Sequence, residues 1–251
     1  MWLYGCGADS PAGKIVDSDI PNIVLFDYNS GRGGQVIVDY LDGYDGYMHA
    51  DGYPGYHKTQ ATIVGCWAHA RRKFTDAQKA MGKNKSGKIN WAINHIKKLY
   101  RVETLIKDKN IDERYHIRQE QSLPLLNEFK TWLIQSKSQV LGQTDLSDAI
   151  QYCLNQWEKL ERYTLDGRLS IDNNRAERSI KPFVNGRKAW LLSQTAKGAK
   201  ASAILYSTVE SAKANGLVPY DYITHLLEAF TQPEPDIEQL LPWNVKLGDG
   251  L

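Results

Sequence analysis

Cysteine is scarce and odd in number: Cys6, Cys66 and Cys153 lie far apart in 251 residues. That argues against a disulfide framework and fits a reducing cytosol. No run of apolar residues approaches the length of a membrane span, and mean hydropathy is −0.48. The first residues, MWLYGCGADS, have neither the basic stretch nor the apolar core of a signal peptide. Net charge is also small, at +2. What remains is an ordinary folding composition, 42% hydrophobic and 24% charged, long enough to bury a full core.

The small net charge conceals an uneven distribution. Residues 66–101 carry ten Lys and Arg against the single acid Asp76, and residues 166–200 carry eight against three acids. Residues 219–251 have only Lys246 against six acids. Two basic blocks and an acidic tail point to a polyanionic partner.

The densest chemistry sits in residues 165–190, LDGRLSIDNNRAERSIKPFVNGRKAW. Asp172, Asn173 and Asn174 are helix-starting residues. With Asn174 as N-cap, Glu177 takes the third helical position, the spacing of a capping box. Pro182, lacking an N–H, predicts a helix end near Lys181. Two readings of Glu177 stand side by side: a capping residue that pairs with Lys181, or a carboxylate aimed at a metal among phosphate-holding arginines.

Elsewhere, aromatic and β-branched runs predict strands at residues 1–5, 23–28, 47–50 and 62–66. Asp-Gly-Tyr occurs three times between 42 and 53 as turn chemistry. Asp51 differs, because it falls at the carboxyl end of a predicted strand, the edge where open α/β sheets bind ligands. Residues 67–80 predict a basic helix carrying Arg71, Arg72 and Lys73. Cys66 and His69 have zinc-like spacing but no second ligand pair, so Cys66 is expected to be a packed thiol.

Residues 89–160 read as helical. Ile89, Ile93, Ile96 and Tyr100 form one stripe, and Pro124 is placed in the first turn of a further helix. After the basic stretch, 189–193 predict a strand. Residues 200–215 predict a helix with Ile204, Leu205, Val209 and Ala212 inward, stopped by Gly216. Pro219 opens a last helix, and Leu240, Leu241 and Trp243 are expected to dock the tail.

The order of strands, helical block and acid-opened helix resembles the ribonuclease-H-like fold of DDE transposases, an α/β mixed sheet with a helical insertion. MHADGYPGY, VGCWAHARRKF, LDGRLSIDNNRAERSIKP, NGRKAWL and ILYSTVESAKANG closely resemble the insertion-sequence-66 transposase family, and LLPWN its C-terminal segment. The resemblance implies that Asp51 and Glu177 are the second and third acids of a catalytic triad binding Mg²⁺ or Mn²⁺. It implies a catalytic core in residues 1–80 and 165–230, an insertion over 81–164 and a tail over 231–251.

DNA, both the insertion-sequence ends and the target, is then the expected partner. Arg71, Arg72, Lys73, Arg175, Arg178, Lys181, Arg187 and Lys188 are the expected phosphate contacts. Other subunits, in a homo-oligomer or an intact transposase, are further expected partners, with no membrane. The expected location is cytoplasmic, at the bacterial nucleoid. In the family the first acid lies on a strand before Trp-Leu-Tyr. That strand is absent here, and Asp9, Asp17, Asp19 and Asp27 do not replace it. The expectation is therefore a truncated enzyme, inactive alone. The alternative is a non-catalytic DNA-binding remnant that competes with or regulates an intact transposase.

Overall fold

A computed structural model describes residues 1–7, 20–31, 33–81, 87–140, 142–190 and 195–247. Along the chain run β1 (Trp2–Cys6), β2 (Ile23–Asp27), α1 (Gly34–Tyr40), β3 (Tyr47–His49) and β4 (Thr62–Val64). The helices α2 (Trp67–Ala80), α3 (Gly87–Leu105), α4 (Ile111–Ile117), α5 (Leu123–Gln139), α6 (Asp145–Asn155) and α7 (Trp157–Glu161) follow. The last elements are α8 (Asn174–Trp190), α9 (Ala196–Ala214), α10 (Pro219–Ala229) and α11 (Ile237–Leu240). This is a mixed α/β chain dominated by helix. It divides into two compact units, Gly33–Asn174 and Met1–Arg32 with Arg175–Leu251.

In the unit Gly33–Asn174, β3 and β4 pair in parallel, Tyr47 opposite Thr62 and His49 opposite Val64. Helix α2 follows β4 and buries Trp67, Ala70, Phe74 and Ala77, one stripe at helical spacing. Trp67 is fully buried; its indole N–H donates to the Leu160 carbonyl at 2.8 Å. Its ring lies 5.7 Å from Phe129 and 6.1 Å, edge-on, from Trp157. Ile89, Ile93 and Ile96 of α3 join this core, with Leu126, Phe129 and Leu133 of α5 and Ala149, Ile150 and Cys153 of α6.

Pro124 sits in the first turn of α5 as expected, and a π-helical turn, Arg118–Ser122, joins α4 to α5. The last helix of this block breaks at Gln156, between α6 and α7.

In the unit made of residues 1–32 and 175–251, β1 and β2 pair antiparallel, Trp2 opposite Asp27 and Cys6 opposite Ile23. The other edge of β2 is met by helix α9 rather than by a strand. Ser211 Oγ accepts from Val24 N at 3.0 Å and donates to Val24 O at 2.9 Å. Ser207 Oγ accepts from Phe26 N at 2.8 Å, and Asn215 Nδ2 donates to Asn22 O at 2.7 Å. Positions i, i+4 and i+8, the last being the cap of α9, thus serve every second residue along β2 and the residue before it, because both spacings repeat near 6 Å.

That contact corrects the expected face of α9. Ile204 and Leu205 are 66% and 62% exposed, while Ala199, Ala203 and Ser211 are buried. Only small side chains let a helix axis approach a strand backbone closely enough for hydroxyls to reach it. Ala212 is buried as expected, and Gly216 closes the helix with φ +76°.

Pro182 does not end α8, which continues to Trp190. A proline removes one intrahelical hydrogen bond, but residues on both sides of it are held by packing. Ile180 and Phe183 pack on the Val24–Phe26 cluster, with Phe183 5.8 Å from Phe26 and 5.3 Å from Tyr206. Ala189 and Trp190 are accordingly helical rather than strand, and residues 191–193 of that expected strand lie outside the described residues. Pro219 opens α10 as expected, and Tyr222 OH donates to Leu240 O at 2.8 Å, docking the tail.

Candidate active site

Asp51 stands two residues beyond β3, at its carboxyl end. Ala50 N–H still donates to Val64 O at 3.2 Å, so the parallel ladder runs up to the acid. Gly52, at φ +92°, then turns the chain, and Asp51 Oδ1 accepts Tyr53 N–H at 3.2 Å. The carboxylate is exposed. Tyr56 lies close enough that burial first, then the Asp51 charge, pushes its hydroxyl up to about 12.

Because the strands are parallel, β4 ends at the same edge and leads through Gly65 and Cys66 into α2. Gly65 N–H donates to Lys159 O at 2.8 Å and Trp67 N–H to Ile171 O at 3.1 Å, fixing the helix start. Cys66 is buried, and its sulfur accepts Asn173 N–H at 3.3 Å. Burial raises its thiol, consistent with a packed cysteine. Arg71, Arg72 and Lys73 are exposed on α2, with Lys73 Nζ 5.6 Å from the Tyr152 ring centre.

Asp172 gathers contacts that its sequence neighbours did not reveal. Oδ2 accepts the Tyr100 hydroxyl at 2.8 Å and Asn174 Nδ2–H at 2.7 Å, while Oδ1 accepts Asn174 N–H at 3.1 Å. Tyr100 is held protonated by burial and by this carboxylate. Helix α8 therefore begins at Asn174 itself, with Asp172 as the acceptor at its start, instead of using Asn174 as the N-cap. The sequence signal was the helix-starting run; its partner Tyr100, 72 positions away, was not readable. Ala68, Arg71, Arg72, Thr75, Tyr100 and Asn174 line an open hollow of about 260 Å³.

Glu177 is half-buried in the first turn of α8 and belongs to the other unit. Arg175 in the same turn donates to Cys6 O at 2.7 Å, to Asn22 Oδ1 at 3.0 Å and to Gly7 O. Its guanidinium thus clamps the end of β1. Arg178, Lys181, Arg187 and Lys188 are exposed along α8. Asp27 ends β2 opposite Trp2, whereas Asp9, Asp17 and Asp19 lie outside the described residues.

Asp51 offers the hard oxygen donors that Mg²⁺ prefers. Among the described residues no three His, Cys, Asp or Glu side chains cluster closely enough to hold a metal together. No helix among them is long and apolar enough to cross a membrane.

The model of the Transposase IS66 family matches residues 1–201. The chain belongs to the IS66 transposase family. The IS66 C-terminal element matches residues 207–243, which hold the second half of α9, α10 and the docked tail. Relatives include two uncharacterized proteins of Sinorhizobium fredii. One, y4qI, is 32% identical over 259 residues, covering 98% of this chain and 47% of the relative. The other, y4hP, is 29% identical over 264 residues, with the same coverages. The chain thus spans about half the length of the curated relatives it matches. No solved structure matches it.

Proposed function

We propose that this chain carries two acids, Asp51 and Glu177, of a metal-dependent centre that cleaves and joins DNA during insertion-sequence transposition. The observation that supports this reading most is Asp51 at the carboxyl edge of a parallel strand pair whose next element is the basic helix α2. Family membership supports the reaction class. The proposed architecture is a ribonuclease-H-like core from residues 1–80 and 165–230, interrupted by the insertion 81–164 and followed by the tail 231–251.

In this reading Asp51 and Glu177 are oxygen ligands of Mg²⁺ or Mn²⁺. When bound, such ions stabilise the attacking and leaving oxygens of an in-line displacement, typically from positions about 3.5–4 Å apart. The chain's own work is to orient the carboxylates. The Gly52 turn fixes Asp51, and the start of α8 sets the direction of Glu177. Arg71, Arg72 and Lys73 on α2, and Arg178, Lys181, Arg187 and Lys188 on α8, attract the DNA backbone. Arg175 acts mainly by holding β1. Transposition brings two DNA ends together, so a homo-oligomer, or assembly with intact transposase subunits, is part of the proposal.

A second reading, favoured by the exposed basic residues of α2 and α8, is a DNA-binding protein that competes with an intact transposase. The test is Mg²⁺-dependent nicking and strand transfer on DNA carrying the insertion-sequence ends. The expected result is activity abolished by Asp51→Asn or Glu177→Gln. DNA binding with no nicking would favour the second reading. Activity unaffected by Asp51→Asn would overturn the catalytic assignment.

A further inference from the structure

Resting on the DNA-binding reading, we propose that Arg71 and Arg72 hold one and the same backbone phosphate, seated in the hollow between α2, Tyr100 and Asn174. Ala68, Arg71, Arg72 and Thr75 fall at i, i+3, i+4 and i+7, which puts all four on one face of α2. The small Ala68 and the short Thr75 leave space between two long guanidinium arms. The opposite wall comes from Tyr100 and Asn174. The hollow's 260 Å³ is about nine waters' worth of liquid, room for a hydrated phosphate group. Paired guanidiniums suit a phosphate because each presents planar N–H forks to its oxygens.

The nearby Asp172 carries a charge that opposes an anion, so two guanidiniums rather than one are needed to make the seat net positive. Its oxygens are held by the wall residues, Oδ2 by the Tyr100 hydroxyl and the Asn174 side chain, Oδ1 by the Asn174 backbone. Tyr100 is therefore a positioning residue: its hydroxyl donates to Asp172 and holds that acid at the start of α8. Lys73 does not line the hollow; its ammonium lies over Tyr152.

The test measures affinity for a short labelled duplex against salt concentration, using the full chain and the variants Arg71→Ala, Arg72→Ala, the double variant and Tyr100→Phe. If one phosphate is shared, either single variant still neutralises it, so each loses affinity several-fold at unchanged salt slope. Only the double variant should flatten log K against log salt, by about 0.9. Separate phosphates would instead flatten the slope in each single variant and by about 1.8 in the double, overturning the shared seat while leaving DNA binding intact. An unchanged slope in the double variant would overturn it too. Tyr100→Phe should lower affinity several-fold at unchanged slope, and unaltered affinity would remove its positioning role. If the unmodified chain shows no salt-dependent binding, the DNA-binding reading fails along with the seat.

Discussion

Two side chains, one buried and one partly buried, show how single residues set this protein's stability. Arg118 is fully buried, pairs with Glu103 at 2.6 and 2.9 Å, and donates to the carbonyls of Tyr163, Asp166 and Leu169. Removing it strands a mostly buried carboxylate and three carbonyl acceptors. Arg118→Ala should therefore cost about 3–5 kcal/mol in urea unfolding, and replacing both Arg118 and Glu103 by methionine should cost less. His49 is the second case. Its Nε2 accepts Ser170 N–H at 3.3 Å, and its buried Nδ1 finds no hydrogen-bond partner among the described residues.

Burial lowers His49 from 6.5 to about 4; Asp172 opposes the shift and Arg118 adds to it. Between those values the unfolded chain binds a proton that the folded one refuses. Stability should be fully present above pH 6.5 and fall as pH drops toward 4, by up to about 3 kcal/mol. The urea midpoint followed from pH 7 to 4 checks this. His49→Gln should remove that part of the slope, and an equal slope in the variant would refute the assignment.

At the scale of elements, the seam between α9 and β2 is the least expected feature. A strand edge normally needs another strand, or water, for its backbone groups. Here Ser207, Ser211 and Asn215 take that part. Ser211→Ala should leave the buried Val24 N–H and C=O without a partner and cost about 1–3 kcal/mol. Faster amide exchange at Val24 and Phe26 would localise the loss; unchanged exchange there would contradict the seam.

The elements also show what sequence could tell. Helix α2 was legible at both ends, because an apolar strand, a buried stripe and a basic face change period at Trp67 and stop at Ala80. Asp51 was legible because it follows a short strand directly. Ile204 and Leu205 misled, since hydrophobic identity says inward but the site on β2 admits only small residues. Pro182 misled because a local rule was outweighed by packing of Ile180 and Phe183 on Phe26. The Tyr100–Asp172 contact was invisible, since nothing local in either segment names a partner 72 positions away.

At the scale of the whole molecule, the proposed DNA-processing role rests on the charge pattern and on membership of the IS66 family, and the two acids fall in different units of the chain. The central proposal is that Asp51 and Glu177 nevertheless serve one metal centre. Iron-directed cleavage of the protein backbone tests that without requiring catalysis. Fe²⁺ substituted for Mg²⁺, with ascorbate and peroxide, cuts the chain beside its ligands. The expected result is cutting next to both Asp51 and Glu177, suppressed at both places by excess Mg²⁺ and by Asp51→Asn. Cutting at one of the two alone, or cuts at Glu177 that survive Asp51→Asn, would contradict a shared centre.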